Sequence, residues 1–313
     1  MRVLFIASGN KTGKPGIVVQ NQANSLKELG IEIDFYLVKG KGLIGYLKNL
    51  YPLWKHIKYH PSSLIHSHYS LSALLVSIAL IFLPFKPHIV SLMGSDTKLK
   101  GVFKSIVKLF SRFFWTITIV KSKQMLSDSG IHNALIIPNG VDIKKIEQLV
   151  KESNPKKAGF KNNSTKTILF AADPSRKSKN YSLAHQAMKN INAILKISYN
   201  KTHANIINEI LHSDVLLITS RWEGSPNIIK EAMACNCPIV STEVGDIRWL
   251  FGNEPGHFIA NFDPADVAEK INQALEFSRE KVRTNGKQRI IQLGLDNKIV
   301  AKKIIKVYKE NLN

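Results

Sequence analysis

Cysteine is nearly absent: the 313-residue chain has two, Cys235 and Cys237. One intervening residue is poor geometry for a mutual disulfide, and two thiols are too few ligands for a structural zinc site. Both read as free thiols of a reducing compartment. Long apolar runs are also missing. The longest, Leu71 to Phe85, is interrupted by Ser77 and Pro84 and falls short of the roughly 20 residues that span a bilayer, so it reads as a buried helix. The opening MRVLFIASGN breaks at a glycine with no small-residue cleavage site behind it, and reads as a first β-strand rather than a signal peptide. No D-x-D motif, internal repeat or low-complexity tract is found. Acids are scarce in one stretch: between Tyr36 and Leu126 thirteen Lys or Arg stand against a single acid, Asp96.

What is present is ordinary in amount and uneven in distribution. A hydrophobic content of 44% with 21% charged residues excludes a disordered or collagen-like chain. The net charge of +21 favours an anionic partner, meaning nucleic acid, anionic lipid or a phosphorylated substrate; solubility in a lysine-rich proteome is the other reading. No helix-turn-helix, zinc finger or aromatic RNA platform accompanies the charge, so no nucleic-acid partner is expected.

Short apolar runs alternate with segments of helical period. Arg2 to Ala7 is followed by a Gly- and Lys-rich loop and a helix from about Ile17 to Leu29; further strands are expected at Ile31–Val38, Leu64–Ser67, His88–Leu92, Trp115–Val120 and Ala134–Ile137. Such alternation predicts a parallel sheet covered on both faces. Composition shifts to Lys, Glu, Asn and Ser between Asn139 and Thr165, and a fresh series follows: strands Thr167–Ala171, Val215–Thr219 and Pro238–Ser241, with a helix over Asn227–Ala234. We therefore expect an N-terminal Rossmann-like domain over 1–143, a linker over 144–165, a C-terminal Rossmann-like domain over 166–295 and a closing amphipathic helix over 296–313. Open sheets of this class bind ligands at the carboxyl ends of their strands, which predicts a site in a crevice between the halves.

The most informative segment runs from Ser220 to Asp246, SRWEGSPNIIKEAMACNCPIVSTEVGD. Glu223 ends a strand, Gly224 and Ser225 turn, Pro226 suits a first helical turn and Glu231 follows on the helix. Two carboxylates reach one mouth, beside a helix N-terminus whose unpaired N–H groups suit a diphosphate. Carboxylates accept hydrogen bonds from sugar hydroxyls.

This Glu, seven residues, Glu pattern within E-G-S-P-N-x-x-K-E-A-M-A-C strongly resembles the signature of the retaining glycosyltransferases of family 4, which have the GT-B fold: two Rossmann-like domains facing across a cleft, with a C-terminal helix packing back toward the N-terminal domain. The resemblance implies that Glu223 contacts the transferred hexose and Glu231 holds the nucleotide ribose. It also implies that Gly224, Ser225, Pro226 and Asn227 face the donor, a UDP- or GDP-sugar. FAADPSRKSKNYSLAHQAM is similar to the family's donor-phosphate loop. Asp173 stands where an Arg is usual, so the resemblance passes the phosphate role to Arg176 and Lys179, with Lys177 as the alternative. A Lys or Arg pair stabilises leaving-group charge without a metal, and no metal or other cofactor is expected.

The N-terminal half resembles the family more weakly. SGNKTGKPGIVVQNQANSLKELG matches its glycine loop, where Gly13 and Gly16 let the backbone approach a phosphate or acceptor; ALIIPNGVDIKKI matches its I-P-N-G-V-D segment. In VSLMGSD, Met93 stands where many relatives carry His. Asp96 and His68 remain as candidates to position the acceptor hydroxyl; Asp96 could instead cap the helix after it, and His68 could be a satisfied core residue. In the family the acceptor attacks the face from which the nucleotide leaves, with the diphosphate helping to take the proton. The resemblance implies a hexosyltransferase acting on a glycan or lipid-linked acceptor in cell-surface polysaccharide synthesis, lipopolysaccharide or capsule. A degenerate, non-catalytic member or a basic nucleic-acid-binding protein are the alternatives.

KLKGVFKSIVKLFSRFFW, from Lys98 to Trp115, sets Lys100, Lys104, Lys108 and Arg112 on one helical stripe among Phe, Ile and Val. The pattern suits a helix lying on an anionic membrane and equally a Rossmann helix with its apolar side in the core. A cytoplasmic protein, with peripheral contact at the inner face of the membrane, is the expectation.

Overall fold

The computed structural model describes residues 1–10, 13–40, 42–98, 101–131, 134–152, 165–280 and 283–312. The chain divides into two compact units, Met1–Gly140 with Asn297–Asn313, and Val141–Asp296.

In the first unit, strands β1 (Arg2–Ser8), β2 (Glu32–Val38), β3 (Leu64–His68), β4 (His88–Ser91), β5 (Ile117–Val120) and β6 (Ala134–Ile136) form one sheet in the order β2-β1-β3-β4-β5-β6. Every pairing is parallel, β1 lying on β2 from Arg2 opposite Glu32 to Ser8 opposite Val38. Helices α1 (Ile17–Lys27), α2 (Gly42–Leu47), α3 (Leu50–Tyr59), α4 (Ser70–Leu80), α5 (Gly101–Phe113) and α6 (Lys123–Ser129) make the crossovers. Val3 to Ile6 are buried on both faces of the sheet, which is why β1 reads as an unbroken apolar run instead of an alternating one.

The closing helix, Asn297–Glu310, returns to this unit. It buries Val300, Ala301, Ile304, Val307 and Tyr308 against Val3, Phe5, Val19, Ala23 and Leu26. Their spacing of three and four places them on one face, so the amphipathic pattern of the sequence becomes the seam with α1. Tyr308 is fully buried, and its hydroxyl hydrogen-bonds His66 Nδ1 at 2.5 Å.

The apolar run from Leu71 is a buried helix only through Leu80. Ile81, Phe82 and Phe85 are exposed at 54%, 78% and 85%, in the connection to β4 where Pro84 cannot continue a helix.

The second unit begins earlier than the composition suggests. The segment 144–165, expected to link two domains, is helical at its start: α7 (Ile143–Glu152) seats Ile143 and Ile146 in the second unit's core. Residues 153–164 of that segment lie outside the described residues. Strands β7 (Lys166–Phe170), β8 (Ala193–Ile197), β9 (Val215–Ile218), β10 (Ile239–Thr242) and β11 (His257–Ala260) pair in parallel, in the order β11-β10-β9-β7-β8. The order reverses between β7 and β9, and the crevice outside the carboxyl ends of strands at such a reversal is where open α/β sheets take ligands. The helices that matter to the site are α8 (Tyr181–Ala187), α9 (His203–Leu211) and α10 (Asn227–Ala234).

Candidate functional site

The loops that leave β7 and β9 meet at this reversal. Thr219, just past β9, donates its hydroxyl to the carbonyls of Lys179 and Asn180, both at 3.0 Å, and the Arg221 N–H donates to the Ser178 carbonyl at 2.8 Å. These bonds fix the basic loop after β7 against the acidic turn after β9. Lys179 Nζ donates to Glu223 Oε1 at 2.5 Å, and the Ser220 hydroxyl donates to the same oxygen at 2.7 Å. Both side chains of the pair are less than a fifth exposed. A half-buried charge that has given up water needs a partner, and each of these is the other's.

Arg176 and Lys177 are exposed on the same loop. Asp173, which stands where an Arg is usual in the family that the sequence resembles, accepts from the Ser175 N–H at 3.0 Å and the Ser175 hydroxyl at 2.7 Å. Its carboxylate therefore shapes the turn, as short acidic side chains do in loops, and the cations come later in the loop.

The turn 224–226 is buried, and α10 starts at Asn227 behind a Pro226 N-cap with no side-chain cap bond. The N-cap residue thus offers its first N–H groups no side-chain acceptor, a condition that makes a helix start attractive to an anion. Glu231 follows one turn on. His203, at the start of α9, places Nε2 2.8 Å from Glu231 Oε1. Sequence reading missed His203: it lies 28 residues from Glu231, and nothing local marks the pairing.

The residues expected on the acceptor side fall in the first unit. Asp96 is 5% exposed. Its Oδ1 accepts from the Ser70 N–H at 3.1 Å and the Ser70 hydroxyl at 2.6 Å, and its Oδ2 from the Met93 N–H at 2.5 Å. It caps α4, the helix preceding it in the chain, not the one after it. Burial raises this carboxyl to about 6 against those three donors. His68 ends β3, is 2% exposed, and stacks on His66 with ring centroids 4.4 Å apart. It is a core residue, but neither ring nitrogen has a hydrogen-bond partner among the described residues, and burial with the nearby Lys121 charge lowers it to about 3. Gly16 is the N-cap of α1 with no protein atom within 4 Å of a notional Cβ, and Gly13 adopts φ +67°. Met93 is partly buried and packs against the first unit's core.

The basic stripe lies on α5, except for Lys100, which is outside the described residues. Val107 is buried, with Phe103 and Phe110 packed around it, so the core claims one side of the helix. Val102, Leu109 and Phe113 remain exposed at 77%, 54% and 66%, beside exposed Lys108 and Arg112. No described helix is long and apolar enough to cross a membrane. Cys235 and Cys237 are buried free thiols, the latter pushed up to about 12 by desolvation.

Comparison with known proteins bears on this arrangement. Residues 158–289 match the family model described as glycosyl transferases group 1. The chain is 26% identical over 292 residues to an uncharacterized glycosyltransferase of Methanocaldococcus jannaschii, covering 85% of this chain and 81% of that one. Among solved structures, sucrose-phosphate synthase from Thermosynechococcus elongatus superposes with a TM-score of 0.78 at 14% identity, over 99% of this chain and 98% of that one. Anabaena HepE in complex with UDP-glucose superposes at 0.77 with 14% identity, over 99% and 100%. The fold is therefore α/β of the GT-B class, with two Rossmann-like units.

Proposed function

We propose that the chain is a retaining hexosyltransferase that takes its sugar from a UDP- or GDP-linked donor and passes it to a glycan or lipid-linked acceptor in cell-surface polysaccharide synthesis. The observation that carries this reading is the Lys179–Glu223 pair at the strand-order reversal, with Glu231 one helical turn behind it. The HepE complex with UDP-glucose is a fold relative holding such a donor, and the family match covers the segment from which all these residues come.

Each group has a task under this reading. Glu231, steadied by His203, accepts from the ribose hydroxyls. Arg176 and Lys179 take the diphosphate, whose charge grows as the sugar–oxygen bond breaks. In the free protein the Lys179 ammonium is held by Glu223, so an arriving diphosphate competes for that cation and releases the carboxylate to the hexose. Glu223, with the Gly224 and Ser225 amides, then orients the sugar. The acceptor hydroxyl attacks the face from which the nucleotide departs and passes its proton to the leaving diphosphate, so no protein base is required. Metal-independence follows from the same assignment, the cations doing the work of a divalent ion. His68 and Asp96 contribute on the acceptor side, His68 as a neutral ring able to accept or donate and Asp96 by fixing Ser70 and the start of α4.

A screen of the purified protein against UDP, GDP and their hexose conjugates, in EDTA, tests the reading. Saturable thermal stabilisation and a calorimetric heat with one nucleotide series are expected; no response to any of them points to a degenerate member or to a nucleic-acid-binding protein. Membrane contact at the inner leaflet is a separate part of the proposal, supported by the exposed apolar and basic side chains of α5. Changing Lys104 and Lys108 to Glu reverses two charges, each worth about 1 kcal/mol at an anionic surface, and is expected to weaken co-sedimentation with anionic liposomes at least tenfold. Unchanged co-sedimentation would make the stripe an ordinary solvated surface.

A further inference from the structure

Lys230 is fully buried on α10, one residue before Glu231 and in its first turns. The position is costly for a cation. It is desolvated, it lies near the positive end of the helix, and its neighbours Ile229, Ala232 and Met233 are core residues among which a leucine or methionine would pack without charge. A second buried charge lies across from it. Asp246, in the loop after β10, is 8% exposed, and Lys230 and Asp246 stabilise each other's charged forms.

Both charges hold the same five-residue turn. Lys230 Nζ donates to Asn227 Oδ1 at 3.3 Å, and the Ser225 hydroxyl donates to Asp246 Oδ2 at 2.6 Å. Between them Gly245, at φ +64°, lies so near the turn that a Cβ would stand 2.8 Å from the Gly224 carbonyl oxygen and 3.1 Å from that of Glu223. The turn is thus held at its middle by Asp246, at its end by Lys230, and along its backbone by Gly245. With the Ser225 hydroxyl and the Asn227 side-chain oxygen Oδ1 tied to these buried charges, the turn presents its backbone amides and the Glu223 carboxylate to a ligand.

We propose that Lys230 and Asp246 form an internal clamp that fixes the Glu223–Asn227 turn, making them positioning residues for the hexose part of the donor and not for its nucleotide. The inference rests on the donor-site reading above and goes beyond it by separating two recognition elements: Glu231, His203 and the basic loop serve the nucleotide, while the clamped turn serves the sugar. Burial makes the two charges interdependent. It lowers the Lys230 ammonium to about 8 and raises the Asp246 carboxyl to about 6, so near neutral pH both are charged and each depends on the other. The remaining charges acting on them, Glu231 on Lys230 and Glu223 on Asp246, belong to the two ends of the same motif.

The test compares Lys230→Met, Asp246→Asn and the double variant with the wild type, measuring calorimetric affinity for UDP-glucose against UDP, and for GDP-mannose against GDP, together with thermal stability. For whichever pair the wild type binds, each variant is expected to lose about tenfold or more for the nucleotide sugar and less than about threefold for the bare nucleotide, as a lost charge-assisted contact would give. The double variant removes both buried charges at once and is expected to melt within a few degrees of wild type while keeping the selective loss. Equal losses for sugar-bearing and bare nucleotide, or a double variant that regains sugar affinity along with stability, would reduce the pair to a structural role and overturn the clamp. A wild type that binds none of the four ligands overturns the donor-site reading itself, and the clamp with it.

Discussion

Glu231→Ala is expected to abolish measurable binding of nucleotide and nucleotide sugar, whereas Glu223→Ala lowers turnover more than donor affinity. The asymmetry follows from where the two carboxylates sit. Glu231 is mostly buried, and its carboxylate pairs with His203 at 2.8 Å. A ribose presents two adjacent hydroxyl donors, and hydrogen bonds to a charged acceptor are worth roughly 1.5–3 kcal/mol each. Losing both costs on the order of 100-fold to 10,000-fold in affinity, and alanine also leaves His203 without its carboxylate. Glu231→Gln keeps the shape and one acceptor oxygen but not the charge, and an intermediate loss of about 10-fold to 100-fold is expected.

Glu223 differs because Lys179 and Ser220 both converge on its Oε1. Removing it frees Lys179 for the diphosphate, which offsets part of the lost sugar contact in the ground state, so the defect emerges in the transition state, where the hexose must be held as positive charge develops on it. Isothermal calorimetry and steady-state kinetics on the same preparations separate the two outcomes. Undiminished turnover in both variants would remove these glutamates from the site.

Much of the fold could be read from residues alone, for a physical reason. Strands buried on both faces of a parallel sheet are short apolar runs, and β1 and β9 are recognisable as such. The strands that escaped notice are the outermost ones of the second sheet. Β8 carries the half-exposed sequence AILKI, with Lys196 in it, and β11 is the four-residue HFIA, incompletely buried. Edge positions relax the demand for apolar residues on both faces, and the signal goes with it. The second unit's start at Val141 was hidden by charge: α7 has the sequence IKKIEQLVKE, whose lysines and glutamates dominate its composition while Ile143 and Ile146 do the packing.

The site divides in the same way. Glu223, Glu231 and Lys179 lie in contiguous motifs with turn chemistry around them, and the structure joins Lys179 to Glu223 directly. His203 to Glu231 and Lys230 to Asp246 are pairs made by the packing of separate elements, and a lysine inside EGSPNIIKEAMA looks like any solvated helix charge until its burial is known.

Acid is expected to unfold the protein, with stability level from about pH 8 to 7 and falling steeply below about 6.5, the ordinary histidine value. Burial holds His68 and His88 down to about 3 and His257 to about 4, and it also lowers His66 well below its ordinary value, with the His68 and Lys121 charges adding to the effect. A ring that stays neutral in the folded state but takes a proton when unfolded gives stability that is fully present above the unfolded value and is lost as pH drops. Asp96 and Asp246 act in the opposite sense. Burial raises both to about 6, so they take up protons in the folded state before unfolded carboxyls do, and between about pH 6 and 4 they return part of what the histidines lose. Four rings against two carboxyls leave a net uptake of about two protons on unfolding near pH 5, which is roughly 2–3 kcal/mol of stability per pH unit. Against a usual total of about 5–15 kcal/mol, that places the acid transition near pH 4 to 5. Below about 4.5 Glu209 adds to the loss: burial opposes its charge, but hydrogen bonds from Lys201, Ser198 and Lys196 outweigh that and hold it at about 2. Urea titrations at half-unit pH steps measure the slope. His68→Phe replaces a ring that has no hydrogen-bond partner to lose among the described residues and is expected to flatten the slope by about one proton, close to 1.4 kcal/mol per pH unit. Stability that does not change from pH 7 to 4.5 would mean that these rings are not buried neutral in the folded protein.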